Sequence, residues 1–262
     1  MKLKSNCVLE RCDSTNDYAR RLALEGSPHG TWISCKVQSR GKGRSGRSWQ
    51  SLEGNLFLSI LVRMEQSAFA NAGSWVPLAA AAGAVRALRA LYRGLGIQIK
   101  WPNDLWLDDA KLGGILCESV SRTAEACVIV GIGLNYETAP AELATGEFPA
   151  SYRAVCLKDA VPRVSPGIDL VRDQIIEAIL HEMEFLKRSD VQTVREHYLE
   201  HALLKEGTQI EWTTRSGTDG QGTVAGLGAS GELLVDLPAR ASLFSEDVRV
   251  RVVPKASDGS RL

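Results

Sequence analysis

The sequence lacks an uninterrupted apolar run that approaches the roughly 20 residues of a membrane-spanning helix. Its first residues also lack the apolar core of a signal peptide. It has no excess of charge, because 31 basic and 31 acidic residues give a formal net charge of zero. This balance excludes a general electrostatic attraction to nucleic acid or to an anionic membrane. We therefore expect a cytoplasmic protein in which any basic function is local.

Metal-ligand and nucleophile patterns are also scarce. The six cysteines include no C-x-x-C pair, so we expect reduced structural thiols and no protein-bound metal. His197 and His201 have the spacing of two metal ligands on a predicted helix, but no further ligand is apparent. We expect them on a solvated face. No Ser/His/Asp or Cys/His combination stands out, which argues against a covalent enzyme nucleophile.

The chain of 262 residues is long enough for one large and one small domain. Periodicity and turn residues predict an α+β domain over 1–205, a small β domain over 206–254 and a polar tail at 255–262. In the first domain, strands are predicted at 31–37, 56–62, 97–101, 111–120 and 126–136, and helices at 13–26, 74–95, 168–187 and 191–204. The short links between the later strands favour antiparallel neighbours.

The stretch Ser39–Trp49 places four cations among three glycines and contains no acidic residue. The cations are Arg40, Lys42, Arg44 and Arg47. Glycines allow the backbone to approach a ligand closely, and the cations supply the charge that a phosphate or carboxylate requires. The stretch therefore predicts an anion-binding loop at the end of a strand.

The same loop matches the dinucleotide fingerprint G-x-G-x-x-G at Gly41, Gly43 and Gly46. That fingerprint requires a helix of about a dozen residues opening on the third glycine. Here a few residues interrupted by Gly54 lead into the next strand, so a dehydrogenase is a disfavoured third hypothesis. The phosphate-binding pattern of P-loop proteins also fails, because Gly46 is followed by arginine.

Two further motifs are informative in combination. Lys100–Asp104 reads KWPND, which predicts a tight turn at a strand end, and Lys111–Gly114 begins a strand with two glycines. In Val130–Asn135, Gly131 and Gly133 alternate with aliphatic residues, so one face of the strand is bare. A close-packed helix or a slot for a flat ligand would explain this face, and the combination favours the slot.

Together the motifs resemble biotin protein ligases of the type that lacks an N-terminal DNA-binding domain. The resemblance covers most of the chain, and the motifs occur in the family's order and spacing. They are Ser14-Thr15-Asn16, the loop Gln38–Trp49, KWPNDL at 100–105, KLGGIL at 111–116, GIGLN at 131–135 and the C-terminal β segment.

The resemblance implies a catalytic domain related to class II aminoacyl-tRNA synthetases, with a mixed sheet and helices on one side, followed by a small SH3-like barrel. It implies two reactions. Biotin and MgATP give biotinyl-5′-adenylate and pyrophosphate, and a lysine of a biotin carboxyl carrier protein, a subunit of acetyl-CoA carboxylase, then takes the biotin. No sequence basis for repressor activity or DNA binding is apparent.

The resemblance also implies roles for individual residues. Catalytic roles fall to Arg44, Lys111 and Asp104. Biotin contacts fall to Ser14, Thr15, Asn16, Gln38, Gly41, Lys42, Arg44, Gly114, Gly131 and Gly133. ATP contacts fall to Arg44, Arg47, Trp49, Asn103, Lys111 and Asn135.

One departure from the family pattern is Lys42, where the family usually has arginine. A bidentate contact becomes a point charge, so we expect the loop to hold the adenylate less firmly. The rival hypotheses are a lipoate ligase or related acyl transferase, which would share the fold but not the arginine-glycine loop, and a nucleic-acid-binding module. Zero net charge counts against the latter. The sequence leaves open whether the chain is a monomer or a homodimer.

Overall fold

The computed structural model describes residues 3–120, 125–141, 153–161, 166–214, 217, 219–236, 240–244 and 248–253. Its strands are β1 (Cys7–Cys12), β2 (Trp32–Gln38), β3 (Leu56–Glu65), β4 (Ile97–Lys100), β5 (Asp104–Leu107), β6 (Ala110–Val120), β7 (Glu125–Leu134), β8 (Gln209–Thr214), β9 (Asp219–Leu227), β10 (Leu233–Asp236), β11 (Arg240–Leu243) and β12 (Val248–Val252). Its helices are α1 (Thr15–Leu24), α2 (Gln66–Ala72), α3 (Val76–Leu91), α4 (Leu157–Ala160), α5 (Ile168–Lys187) and α6 (Val191–His201). The predicted polar tail at 255–262 lies outside the described residues.

The larger sheet has the strand order β1-β2-β3-β7-β6-β5-β4. β1 and β2 are parallel, and the other neighbours are antiparallel. Strands β4 to β7 follow one another in the chain through short links, which can join antiparallel strands but not parallel ones. The predicted α+β class and mixed sheet are therefore confirmed.

The side chains of β3 show which helices cover each face of this sheet. Leu58, Ile60 and Val62 point to one face, where they join the main core with residues of α3, α5 and α6. Leu61 points to the other face and packs with Ala19 of α1. The resemblance implied helices on one side only, and the position of α1 corrects that expectation.

The smaller sheet has the order β11-β10-β9-β8-β12, and every neighbouring pair is antiparallel. It corresponds to the predicted small β domain, whose boundary at 205/206 and SH3-like closure stay predictions. The indole N–H of Trp75 donates to Ala229 O at 2.8 Å, and that of Trp101 donates to Gly231 O at 3.0 Å. Two buried tryptophans thus hold the turn between β9 and β10 against the larger sheet unit.

The sequence patterns do not predict β1, β5 or β11. In β1 the apolar alternation is weak, and Val8 is 42% exposed. β5 begins at Asp104, a residue that the sequence places in the turn after Pro102. Its residues 105–107 are all buried, so no alternation marks them as a strand. Pairing with β4 and β6 makes them one.

The solvated face expected for His197 and His201 is wrong. Nδ1 of His197 lies 2.9 Å from Oε2 of Glu182, a carboxylate with no solvent exposure. Arg86 contacts the same carboxylate, and the side chain of His201 is 10% exposed. A buried carboxylate requires such partners. His197 therefore links α6 to α3 and α5, and His201 is largely buried instead of facing solvent.

The stretch Gln66–Leu91, which contains α2 and α3, is long and apolar enough to cross a membrane by length and composition alone. This result differs from the expectation that no segment approaches that length. Of its most apolar window, 67% is buried inside the fold. A helix that is apolar all round is also what a protein core requires, so we interpret it as a core helix.

The contact between α3 and α5 predicts a strict size limit at Gly83. A Cβ atom there would lie 2.8 Å from Ala178 O and 2.9 Å from Ile179 Cα, which are backbone atoms of α5. We expect Gly83→Ala to lower the free energy of unfolding by about 1–3 kcal/mol through overpacking. Urea denaturation would measure the change.

Gly96→Ala is the matched control, because nothing lies within 4 Å of the position of its Cβ. We expect it to change stability by less than about 0.5 kcal/mol. Equal stabilities of the two variants would contradict the size limit.

Candidate active site

Strand register places motif residues from four strands in one row across the larger sheet. Lys100 pairs with Asp104 across β4 and β5. Asp104 pairs in turn with Gly114 of β6, and Gly114 pairs with Gly133 of β7. Paired residues point to the same face of a sheet. The row therefore has a charged end, at Lys100 and Asp104, and a bare end, at Gly114 and Gly133. Both lie on the face of the sheet that carries α1.

Two side chains from outside the sheet fill the bare end. A Cβ atom at Gly131 would lie 2.1 Å from Oδ1 of Asn16 in α1. A Cβ atom at Gly133 would lie 2.6 Å from Cε2 of Trp49 in the glycine loop. The sequence left a ligand slot and a close-packed helix as alternatives. Here the glycines admit one helix side chain and one indole, so a β carbon at either position would clash.

The side-chain amide of Asn16 is occupied by protein partners. Its Oδ1 accepts from Oγ of Ser59 at 2.7 Å. Its Nδ2 donates to Oε2 of Glu118 at 2.7 Å and to Leu116 O at 3.4 Å. An asparagine amide offers two donor hydrogens and one acceptor oxygen, and all are used here. Asn16 therefore holds α1 on the sheet.

Thr15 and Gln38 form a polar end of the site. The backbone N and the Oγ1 of Thr15 both donate to Oε1 of Gln38, at 2.8 and 3.1 Å. These bonds fix Oε1 and leave Nε2 as the donor group of the amide. Ser14 is 2% exposed at the same end, and its side chain makes no capping hydrogen bond to α1.

The glycine loop is an ordered turn between β2 and β3. Lys42 pairs with Ser48 in an antiparallel bridge, and Gly43 N donates to Arg47 O at 2.7 Å. The tip is a 3-10 turn, from which the chain returns directly to β3, antiparallel to β2. A dinucleotide fingerprint requires a parallel strand and a crossover helix at this point. The exclusion of that fingerprint is therefore confirmed.

Two loop cations contact opposite walls of the site. Lys42 forms an ion pair with Asp17 in the first turn of α1. Arg44 donates to Oδ1 of Asn103 at 2.9 Å. Arg40 is different, because its side chain is 76% exposed and turns towards Asp13. The loop thus bridges from α1 to the KWPND turn.

Asp104 and Lys111 form an ion pair beside this bridge. Nζ of Lys111 lies 2.7 Å from Oδ1 of Asp104 and 5.6 Å from the centroid of the Trp49 ring. The side chains of the pair are 31% and 19% exposed, so water reaches the carboxylate more than the amine. The site therefore combines a partly accessible carboxylate with a shielded cation.

Lys100 is a site residue that the sequence reasoning does not single out. It is 6% exposed, and its Nζ lies 4.6 Å from the centroid of a Trp106 ring. Burial, assisted by Lys111, lowers the pKa of Lys100 to about 8, although Asp104 acts in the opposite direction. Lys100 is the first residue of the KWPND motif, and this position is the sequence signal that could have identified it as a site residue.

Two asparagine amides brace the wall of the site. Asn103 accepts from Arg44, and its Nδ2 donates to Ile115 O. Nδ2 of Asn135 donates to Val155 O at 3.2 Å and, at 3.4 Å, to the backbone oxygen of residue 111. Both side chains are at least nine-tenths buried. These amides order the backbone around the site.

These groups line one cavity of about 220 Å³. Every residue that the sequence assigned to the site lines it except Gly41, whose role is steric, because a Cβ there would lie 2.5 Å from Trp49 O. The lining residues without an assigned role are Gly43, Ser48, Gln50, Lys100, Trp101, Pro102, Ile115, Leu116, Ile132, Pro140 and Val250. Val250 belongs to β12, so the smaller sheet also contributes to the wall, which no local pattern indicates.

Residues 8–135 match the model of the biotin/lipoate A/B protein ligase family. The chain is 34% identical over 184 residues to the bifunctional ligase/repressor BirA of Escherichia coli (strain K12), which covers 68% of this chain and 52% of that protein. It is 39% identical over 144 residues to the biotin–[acetyl-CoA-carboxylase] ligase of Paracoccus denitrificans, which covers 51% and 55%. The chain thus spans about half the length of the curated relatives it matches.

The fold is similar to that of a biotin protein ligase from Aquifex aeolicus, solved in complex with biotin and ATP. The TM-score is 0.74 at 23% identity, and the match covers 94% of this chain and 98% of that chain. Likeness at this identity establishes the fold alone. It confirms the class II synthetase-like catalytic fold that the resemblance implied.

The entry to α1 predicts a pH dependence of stability. Asp13 accepts two hydrogen bonds from Arg21, at 2.9 and 3.1 Å, and one from the backbone N of Ser14 at 2.9 Å. The Arg21 guanidinium, with help from Ser14, lowers the pKa of Asp13 to about 2. This carboxylate therefore stabilises the fold above about pH 4, and that contribution is lost as the pH falls towards 2.

We expect Asp13→Asn to lower the free energy of unfolding at pH 7 by about 1 kcal/mol. The difference from the unmodified protein should shrink below about pH 4. Asp169→Asn, whose carboxylate is 78% exposed beside Arg172, is the control and should have a smaller effect. Urea denaturation at pH 7, 4 and 3 tests this, and a pH-independent difference would contradict it.

Proposed function

We propose that the protein activates biotin with ATP and transfers it to a lysine of an acceptor protein, since residues 8–135 match the model of the biotin/lipoate A/B protein ligase family. One observation carries this proposal. Arg44 and Lys111, from separate motifs, reach the same cavity, which Gly133 and the indole of Trp49 also line. Fixed cations in one shared cavity suit two anionic reactants that must approach each other.

In the first step, a carboxylate oxygen of biotin attacks the α-phosphorus of ATP. The bond from that phosphorus to the bridging oxygen breaks, and pyrophosphate leaves with the electron pair. Both reactants are anions, so fixed cations lower the barrier to their approach. Asn103 orients Arg44, and Asp104 orients Lys111, before any ligand arrives. We assign the neutralisation of charge to these two cations, with Arg47 beside the phosphates.

In the second step, the acceptor amine attacks the carbonyl carbon of biotinyl-5′-adenylate, and AMP leaves with the electron pair of the C–O bond. A lysine amine with a pKa of about 10.4 is mostly protonated at neutral pH and must lose a proton first. Asp104 is 31% exposed in the cavity, so a side chain entering from solvent can reach it. We assign to Asp104 the orientation and deprotonation of the amine.

The biotin ring would lie at the polar end of the cavity. Ser14, Thr15 and Gln38 supply hydrogen-bonding groups there, and Nε2 of Gln38 is a donor suited to a ureido carbonyl. Asn16 was expected to contact biotin, but its amide is occupied by other partners. We assign it a supporting role, in which its side chain packs against Gly131 and holds α1 on the sheet.

The adenosine would lie near Trp49 and Asn135, with Asn103 bracing Arg44 next to the phosphates. Mg²⁺ would enter with the phosphates of ATP, because Mg²⁺ sites of this kind use few protein ligands. Among the described lining residues, Asp104 is the one carboxylate and is paired with Lys111. This donor set does not form a protein cage for the ion, so no step is assigned to it.

Lys42 would close the loop over the biotin side. In the structure its amine is paired with Asp17, and both side chains are partly exposed. An exposed ion pair of this kind contributes less than about 1 kcal/mol. The substitution of arginine by lysine therefore favours a loop that opens easily and holds the adenylate weakly.

We propose a biotin carboxyl carrier protein of acetyl-CoA carboxylase as the acceptor, because one similar protein is named for that enzyme. A cytoplasmic location suits that partner. No DNA or membrane partner is proposed, and the choice between a monomer and a homodimer is left open.

A lipoate ligase is the second candidate function, because the matching family contains both activities by name. The feature that favours biotin is the arginine-glycine loop, in which Arg44 donates a hydrogen bond to Asn103. A nucleic-acid-binding module is less compatible with these contacts. Three of the four basic residues of the loop, Lys42, Arg44 and Arg47, line a cavity, where a polymer backbone could not follow them.

The proposal is tested by exchange of labelled pyrophosphate into ATP with biotin, lipoate or no acid added. We expect label in ATP with biotin alone, because adenylate formation is reversible and requires the acid. Exchange with lipoate alone would favour the second candidate. Exchange that ignores both acids would contradict activation of a carboxylate.

Three variants separate the two steps. Arg44→Ala and Lys111→Ala should lower biotin-dependent exchange at least about a hundredfold, because each removes a fixed cation. Asp104→Ala removes the partner that orients Lys111 but leaves its charge, so it should lower exchange less than either of these variants. It should chiefly slow transfer to the acceptor, by about a hundredfold or more in a single turnover. Arg40→Ala is the control, since this arginine of the same loop is 76% exposed and lies outside the cavity. Normal exchange by the first two variants would remove them from the site.

A further inference from the structure

One side chain outside the cavity holds the segment that leaves β7. Oδ1 of Asn55 accepts hydrogen bonds from the backbone N–H groups of Tyr136, Glu137 and Thr138, at 2.9, 3.1 and 3.1 Å. Its Nδ2 donates to Thr138 O at 2.8 Å. Asn55 is 4% exposed, so the amide that makes these four bonds is sheltered from water. The segment is thus anchored to the residue that precedes β3.

This segment connects two lining residues of the cavity. Asn135 lines the cavity just before it, and Pro140 lines the cavity just after it. On the opposite side, Leu157 N donates to Asn135 O at 3.0 Å, where α4 begins. The backbone between the two lining residues is therefore held by Asn55 from one side and by α4 from the other.

The chemistry of the contact explains why an amide is needed. Three successive N–H groups that converge on one point form a concave site with partial positive charge, which requires an oxygen. The carboxamide supplies that oxygen and also a donor for the carbonyl of Thr138. A side chain without these groups would leave three converging donors for water to satisfy. The segment would then lose its fixed position.

We propose that Asn55 is a positioning residue for the nucleotide half of the site. It does not line the cavity but fixes Asn135 and Pro140 through the backbone that joins them. This inference rests on the proposed function for the assignment of Asn135 to the ATP end. In the described chain, the hydrogen bonds of the Asn55 side chain all go to residues 136–138, whereas Thr15 and Gln38 bond each other. Loss of the amide should therefore weaken ATP binding selectively.

The test compares Asn55→Ala with the unmodified chain by titration calorimetry, with ATP and with biotin separately. We expect the Kd for ATP to rise about tenfold, and the Kd for biotin to change by less than about twofold. Amide hydrogen exchange at 136–138 should become faster, because the three N–H groups lose their acceptor. Asn55→Asp keeps the oxygen and loses the donor to Thr138, so its effect should be smaller.

Ser34→Ala is the matched control for lost stability. Ser34 is also 4% exposed, and its hydroxyl donates to Phe57 O of β3 at 2.8 Å, away from the held segment. It should lower the melting temperature without changing the Kd for ATP. If Asn55→Ala does not fold, the positioning role is decided by titrating Asn55→Asp with ATP and with biotin in the same way.

Equal weakening of ATP and biotin binding, or an unchanged Kd for ATP with unchanged exchange at 136–138, would overturn the positioning role. The failure of the proposed function is distinguishable. An unmodified protein that does not bind biotin would contradict the proposed function, whereas the ATP titrations and the hydrogen exchange would still decide the role of Asn55.

Discussion

The register of β7 against β6 and β3 is the constraint on which the rest of the site depends. It sets Gly133 beside Gly114 and sets Gly131 beside Ser59, so the three glycines present no side chain to the face that carries α1. The space above these glycines seats Asn16 of α1 and Trp49 of the loop. A shift of one residue would turn the aliphatic side chains of β7 into that space. Neither the helix nor the loop could then take its place.

Strand register also determines where the charged side chains of the site lie. Lys100 and Asp104 form the charged end of the row, and Lys111 reaches this end from the start of β6. The described lining contains several cations and one carboxylate, in a chain whose formal net charge is zero. Burial lowers the pKa of Lys100 in this cavity, with a smaller contribution from Lys111. An anionic ligand would therefore be attracted to this cavity and not to the surface in general.

Much of the fold could be predicted because its signals are local. The helix at 168–187 has the same bounds in the sequence pattern and in the structure, since its apolar period is long and regular. Strand β5 could not be predicted, because three consecutive buried residues carry no period and their partners are distant in the chain. The histidines of α6 were misplaced for a related reason. Glu182, the partner that gives His197 a structural role, lies on another helix.

The motifs predicted a set of residues that the structure gathers at one cavity, because each motif combines residue types that few other tasks require. Among the residues they predicted, Gly41 alone does not line the cavity, and that residue supports it. The contacts of each residue became visible in the folded structure alone. The side-chain amide of Asn16 bonds Ser59 and Glu118. Asn55 bonds a segment about 80 residues away in the chain, and Val250 of the smaller sheet lines the cavity. Hydrogen-bond partners and sheet neighbours depend on distances in space, which a linear pattern does not contain.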